Sequence, residues 1–98
     1  MIEYLYNCIR ATSGDNLNIT AFIEKDDGEP ITEHCHLMLF DKDNNLLNTI
    51  NGEYVESAGN WQFNIPALIT KDKLGRYYYK ICAKEGGLCF RQPIYFIV

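Results

Sequence analysis

Two histidines, four cysteines and a run of acidic turn residues hold most of the chemical capacity of this 98-residue chain. His34-Cys35-His36 would place both imidazoles on one strand face, and imidazole nitrogen is a good zinc ligand. A structural zinc site takes about four ligands, and no C-x-x-C or second histidine pair completes this one, so the stretch reads as ordinary strand. Asp41-Lys42-Asp43-Asn44-Asn45 opens like a calcium loop, with oxygens at alternate positions. Leu46 stands where such a loop needs its glycine and Gly52 where it needs its bidentate glutamate, so a polar hairpin turn is expected instead. Nucleophilic catalysis needs a Ser or Cys with a base and an orienting partner, and no G-x-S-x-G is present. Lys84-Glu85-Gly86-Gly87 reads as a hairpin turn, not a phosphate cradle. No enzymatic activity, cofactor or metal is expected.

The tyrosines point elsewhere. In Leu74 to Ala83 (LGRYYYKICA), strand alternation puts Tyr77, Tyr79, Ile81 and Ala83 on one face and Arg76, Tyr78, Lys80 and Cys82 on the other. Mixed Tyr/Arg faces are enriched at protein interfaces. Tyr78, Arg76 and Lys80, joined by Tyr4 and Tyr6 and by Tyr95, are therefore the expected interface residues. The competing reading is a central strand half-buried on both faces, which amphipathic tyrosine suits equally well.

Everything else can be arranged as strands around that one. Ile2 to Ala11 is a first strand with apolar residues on both faces, and Ser13-Gly14-Asp15-Asn16 is a turn. Leu17 to Glu24 alternates cleanly, with Leu17, Ile19, Ala21 and Ile23 facing in. Strands are expected at His34 to Phe40 and Leu46 to Ile50, and Asn51-Gly52 reads as a hairpin dipeptide leading into Glu53 to Glu56. Trp61, Phe63 and Ile65 make an inward aromatic row ended by Pro66. Pro66 to Lys73 has room for one helical turn, and Leu88 to Val98 returns as the last strand, irregular at Gln92-Pro93. Seven to eight short strands with turn signals between them predict one all-β domain over residues 1–98, an antiparallel sandwich with almost no helix. Trp61, Phe63, Ile65, Tyr79, Ile81 and Ile19 are its expected core.

Net charge is −4, and the nine Lys and Arg are scattered along the sequence, which argues against a phosphate-tracking stripe and hence against nucleic acid as a partner. No run approaches the roughly 20 apolar residues of a membrane helix, and Met1-Ile2-Glu3-Tyr4 has no basic, then apolar, export signal. On that ground Cys8, Cys35, Cys82 and Cys89 are expected to be thiols packed as small hydrophobes.

The spacing Leu74-Gly75-Arg76-Tyr77 resembles the corner of immunoglobulin-like sandwiches, where a tyrosine near the strand start hydrogen-bonds back to upstream backbone. The resemblance gives Tyr77 that structural role. Tyr79 stands where antibody domains carry a bridging cysteine, so it does not extend to their disulfide. Trp61-Gln62-Phe63-Asn64-Ile65-Pro66-Ala67, a short connector and Leu74 to Tyr79 are similar to the small immunoglobulin-like domains of tailed-bacteriophage structural proteins. So are the Gly14-Asp15 turn and the loop Asp27 to Ile31. That likeness implies a virion protein made in the host cytoplasm, an accessory protein decorating the capsid through protein–protein contacts. It would have phage capsid or tail proteins as partners and could form a homo-oligomer on the particle. The alternatives are a tail or baseplate component, or a soluble inhibitor or adaptor that binds one host or phage protein.

Overall fold

A computed structural model describes residues 9–24, 27–83 and 90–98. The chain forms β1 (Ile9–Thr12), β2 (Leu17–Ala21), β3 (Cys35–Phe40), β4 (Leu46–Asn51), β5 (Glu53–Val55) and β6 (Asn60–Ile65). A single helical turn, α1 (Ala67–Thr70), then leads to β7 (Gly75–Ala83) and β8 (Phe90–Ile97). The strands make two sheets, in the orders β1-β8-β7-β3-β4 and β2-β6-β5. The expected all-β architecture is present, with one departure from purely antiparallel pairing: β1 runs parallel to β8, Ile9 beside Ile94 and Thr12 beside Ile97.

Alternation explains which face of each sheet is covered. In β2 and β6 the paired rows Leu17–Ile65, Ile19–Phe63 and Ala21–Trp61 turn inward, while Asn18–Asn64 and Thr20–Gln62 turn out. In the larger sheet Leu37, Leu39, Tyr79, Ile81, Ile94 and Phe96 turn in, and with the first set they form one core cluster. Ile19, Trp61, Phe63, Ile65, Tyr79 and Ile81 are all buried. The indole N–H of Trp61 would be costly to bury unpaired. It donates to the Ile31 carbonyl at 2.6 Å, which closes the loop after β2 over the core.

Three local expectations change. Asn51-Gly52 is not a hairpin turn, because β4 pairs with β3 and β5 with β6, so the chain crosses there between the sheets. Gly52 is required by space: a Cβ on it would stand 2.4 Å from Phe63 Cε1 and 2.9 Å from Trp61 Cε3. His34 precedes β3 with φ of 56°, in the left-handed region, so strand alternation does not carry it onto the face of His36. The last strand runs through Gln92 and Pro93 without a register shift, Pro93 standing opposite Tyr78. The first eight residues, including Tyr4, Tyr6 and Cys8, and residues 84–89, with Cys89, lie outside the described residues.

The corner before β7 is pinned by hydroxyls. Thr70 is fully buried, and its Oγ1 donates to the Asp15 carbonyl at 2.7 Å and accepts from the Gly14 N–H at 3.1 Å. Ser13 Oγ lies 3.0 Å from the Thr70 carbonyl and 3.1 Å from that of Lys71. Asn16 Oδ1 accepts from the Ala67 N–H, satisfying one orphan donor at the start of α1. Tyr77, expected to lock this corner, packs its ring edge-on against Phe96 at 5.4 Å.

Candidate protein-docking face

The larger sheet has a covered face and an outer one, and register assembles the outer face from distant parts of the sequence. Arg10 of β1, Tyr95 of β8 and Arg76 of β7 lie side by side. Two residues along, Pro93, Tyr78, Phe40 and Leu46 form the next row. Beyond it stand Arg91, Lys80, Met38 and Thr49. Arg10, Arg76, Arg91 and Leu46 are exposed; Tyr78, Lys80, Tyr95, Phe40 and Met38 are half-buried.

Aromatic rings and cations on this face hold one another. The Arg76 guanidinium donates from Nε to the Tyr95 hydroxyl at 2.9 Å, and its Nη2 donates to the same oxygen. The Tyr95 hydroxyl, followed by that of Tyr78, holds the Arg76 guanidinium above the usual arginine range. Arg91 lies over the Tyr78 ring with its guanidinium carbon 3.8 Å from the centroid, and Lys80 Nζ stands 5.4 Å from that of Phe40. Such contacts restrict the rotamers of long side chains on the sheet face.

Sequence reasoning placed Arg76, Tyr78 and Lys80 together, and β7 does present all three on the outer face. It missed Arg10, Arg91, Phe40 and Met38, which only the pairing of β1, β8 and β3 with β7 brings alongside. The readable signal was period two in β3 and β8: Met38 and Phe40 fall opposite inward Leu37 and Leu39, and Arg91, Pro93 and Tyr95 opposite inward Ile94 and Phe96.

The other candidate residues have different surroundings. His34, Cys35, His36 and Asn51 line a shallow depression at one end of the sheet, with His34 exposed, His36 half-buried and Cys35 buried. Among the described residues no three His, Cys, Asp or Glu side chains gather as a ligand set. The Asp41 carboxylate is occupied by its own turn, accepting from the Asp43 and Asn45 backbone N–H groups at 2.9 Å each and from Asn45 Nδ2 at 3.0 Å. The expected reduced state fails at Cys82, which is disulfide-bonded, its partner lying outside the described residues. Cys82 stands opposite His36, near the end of β7. No helix among the described residues is long and apolar enough to cross a membrane.

No family model, curated protein or solved structure matches the chain.

Proposed function

We propose that this chain is a non-enzymatic docking domain of immunoglobulin-like type, an accessory protein that decorates a tailed-phage capsid through the outer face of its five-stranded sheet. The observation that carries the docking part is the Arg76–Tyr95, Arg91–Tyr78 and Lys80–Phe40 set on one face of the sheet. Tyrosine and arginine are enriched among the residues that dominate binding energy at protein interfaces, tyrosine for a large contact area with two torsions to freeze and arginine for its planar fork of donors. The virion part comes from the likeness of Trp61 to Ala67 and Leu74 to Tyr79 to phage structural domains.

Quantitative mass spectrometry of gradient-purified particles from the presumed phage tests the assignment. A copy number near that of the major capsid protein is the expected result, and a low one moves the protein to the tail or baseplate. Absence from particles, with a single co-purifying protein from the cell, replaces decoration by the inhibitor or adaptor role.

A further inference from the structure

We infer that the partner seated on the outer face of the five-stranded sheet presents an acidic polypeptide surface, whose carboxylates are read by the guanidinium groups of Arg10, Arg76 and Arg91. The inference rests on the docking reading above and adds the chemistry of the partner.

The argument is one of charge placement. The chain is net acidic, with thirteen Asp and Glu against nine Lys and Arg. Yet its three arginines, far apart in sequence, all fall on this one face, together with Lys80. Among the described residues, no Asp or Glu occupies an outward position on β1, β8, β7, β3 or β4. Asp41 and Asp43 come nearest, sharing with Arg76 a depression at the rim, and the Asp41 oxygens are held by their own turn. Glu24, Asp27, Glu29 and Glu33 are exposed and cluster in the loop between β2 and β3.

The geometry selects carboxylate over nucleic acid. Single-stranded nucleic acid binds sheets by stacking bases on open aromatic faces. Here the chain's own Arg91 covers the Tyr78 ring, and Lys80 approaches Phe40. A guanidinium stacked on a ring keeps its edge N–H donors directed sideways, the orientation that bidentate carboxylate pairing uses. Arg91 is level with Lys80 and Arg76 stands four residues along β7, so their backbones lie about 13 Å apart at the rise of a strand, and the Arg91 guanidinium leans back over the Tyr78 ring between them. Between them are Tyr78 and Pro93. A complementary surface carries carboxylates within that span beside an apolar contact.

The test titrates the full chain against fluorescent poly-L-glutamate and, separately, a thymidine oligonucleotide, at low and at physiological salt. The expected result is salt-sensitive binding of poly-L-glutamate, weakened about fivefold to tenfold in an Arg76→Lys/Arg91→Lys double variant that keeps the charge but loses the fork geometry. Lys71→Ala, an exposed lysine elsewhere, serves as control. Circular dichroism establishes that each variant is folded. Absence of poly-L-glutamate binding, or equal binding by the double variant, overturns the inference. Tighter binding of the oligonucleotide overturns it in favour of nucleic acid. A doubled mass in sedimentation that the double variant abolishes overturns it in favour of a second copy. Protection of Tyr78 by particles despite no poly-L-glutamate binding removes the acidic partner and leaves the docking face standing, whereas loss of both removes the docking reading as well.

Discussion

Thr70 shows how much one hydroxyl decides. Its Oγ1 serves a carbonyl and an N–H of the β1–β2 turn from inside the core, so Thr70→Val leaves both backbone groups without that partner. An unpaired buried polar group costs about 1–3 kcal/mol, and denaturant unfolding should show a loss of that size, with Thr70→Ser recovering much of it. Asp41 makes a pH-dependent contribution of the opposite exposure. Hydrogen bonds from Asn45, backbone first and then side chain, lower its pKa from the ordinary 3.8. A carboxylate with a depressed folded pKa stabilises fully above its unfolded value and loses that contribution as pH falls through the folded one. The Asn45 amide resonance should therefore titrate with a midpoint below 3.8, and not at all in Asp41→Asn. The turn chemistry of Asp41 to Asn45 was legible because Asp and Asn bond their own backbone. The role of Thr70 was not, since nothing local marks a threonine whose partners lie more than fifty residues away.

At the scale of elements, alternation made β2, β3, β6 and β7 readable to within a few residues, because each has one inward apolar row and one outward polar or mixed row. What could not be read was which strands pair. Asn51-Gly52 carries the chemistry of a tight hairpin, but a hairpin there would keep β5 in the large sheet; instead β5 joins β6, and Tyr54 sets its ring 5.6 Å from Trp61. Pairing depends on contacts between distant residues, which dipeptide preferences do not encode. Gly52 then owes its identity to the Phe63 and Trp61 rings. Gly52→Ala is expected to destabilise by about 1–3 kcal/mol through overpacking, whereas Asn51→Ala at the exposed neighbour should change stability by less than about 0.5 kcal/mol. Equal, small effects of both in chemical denaturation would contradict the crossing as described. The same limit hid half of the proposed docking face: Arg76, Tyr78 and Lys80 are neighbours on one strand, while Arg10 and Arg91 join them only through the β1–β8–β7 order.

For the whole molecule, two features join the fold to its proposed role: a covalent cross-link at Cys82 and a charge distribution that leaves one sheet face basic and aromatic in a net acidic chain. Removing a native disulfide from a small domain typically costs about 2–5 kcal/mol, so reductant should lower the melting temperature of the wild type but not of Cys82→Ser. Non-reducing peptide mapping should find Cys82 in a cross-linked peptide. The docking face makes the more direct claim. Hydroxyl-radical footprinting of the protein, alone and bound to particles or to its co-purifying partner, compares large side chains across the surface in a single sample. Tyr78, Tyr95, Phe40 and Met38 should lose reactivity on binding, while Phe22 and Leu68, exposed by 57% and 74% and outside the strands of that sheet, should keep theirs. Protection of Phe22 or Leu68 with Tyr78 and Tyr95 unchanged would place the contact elsewhere and contradict the assignment of the outer face of the five-stranded sheet.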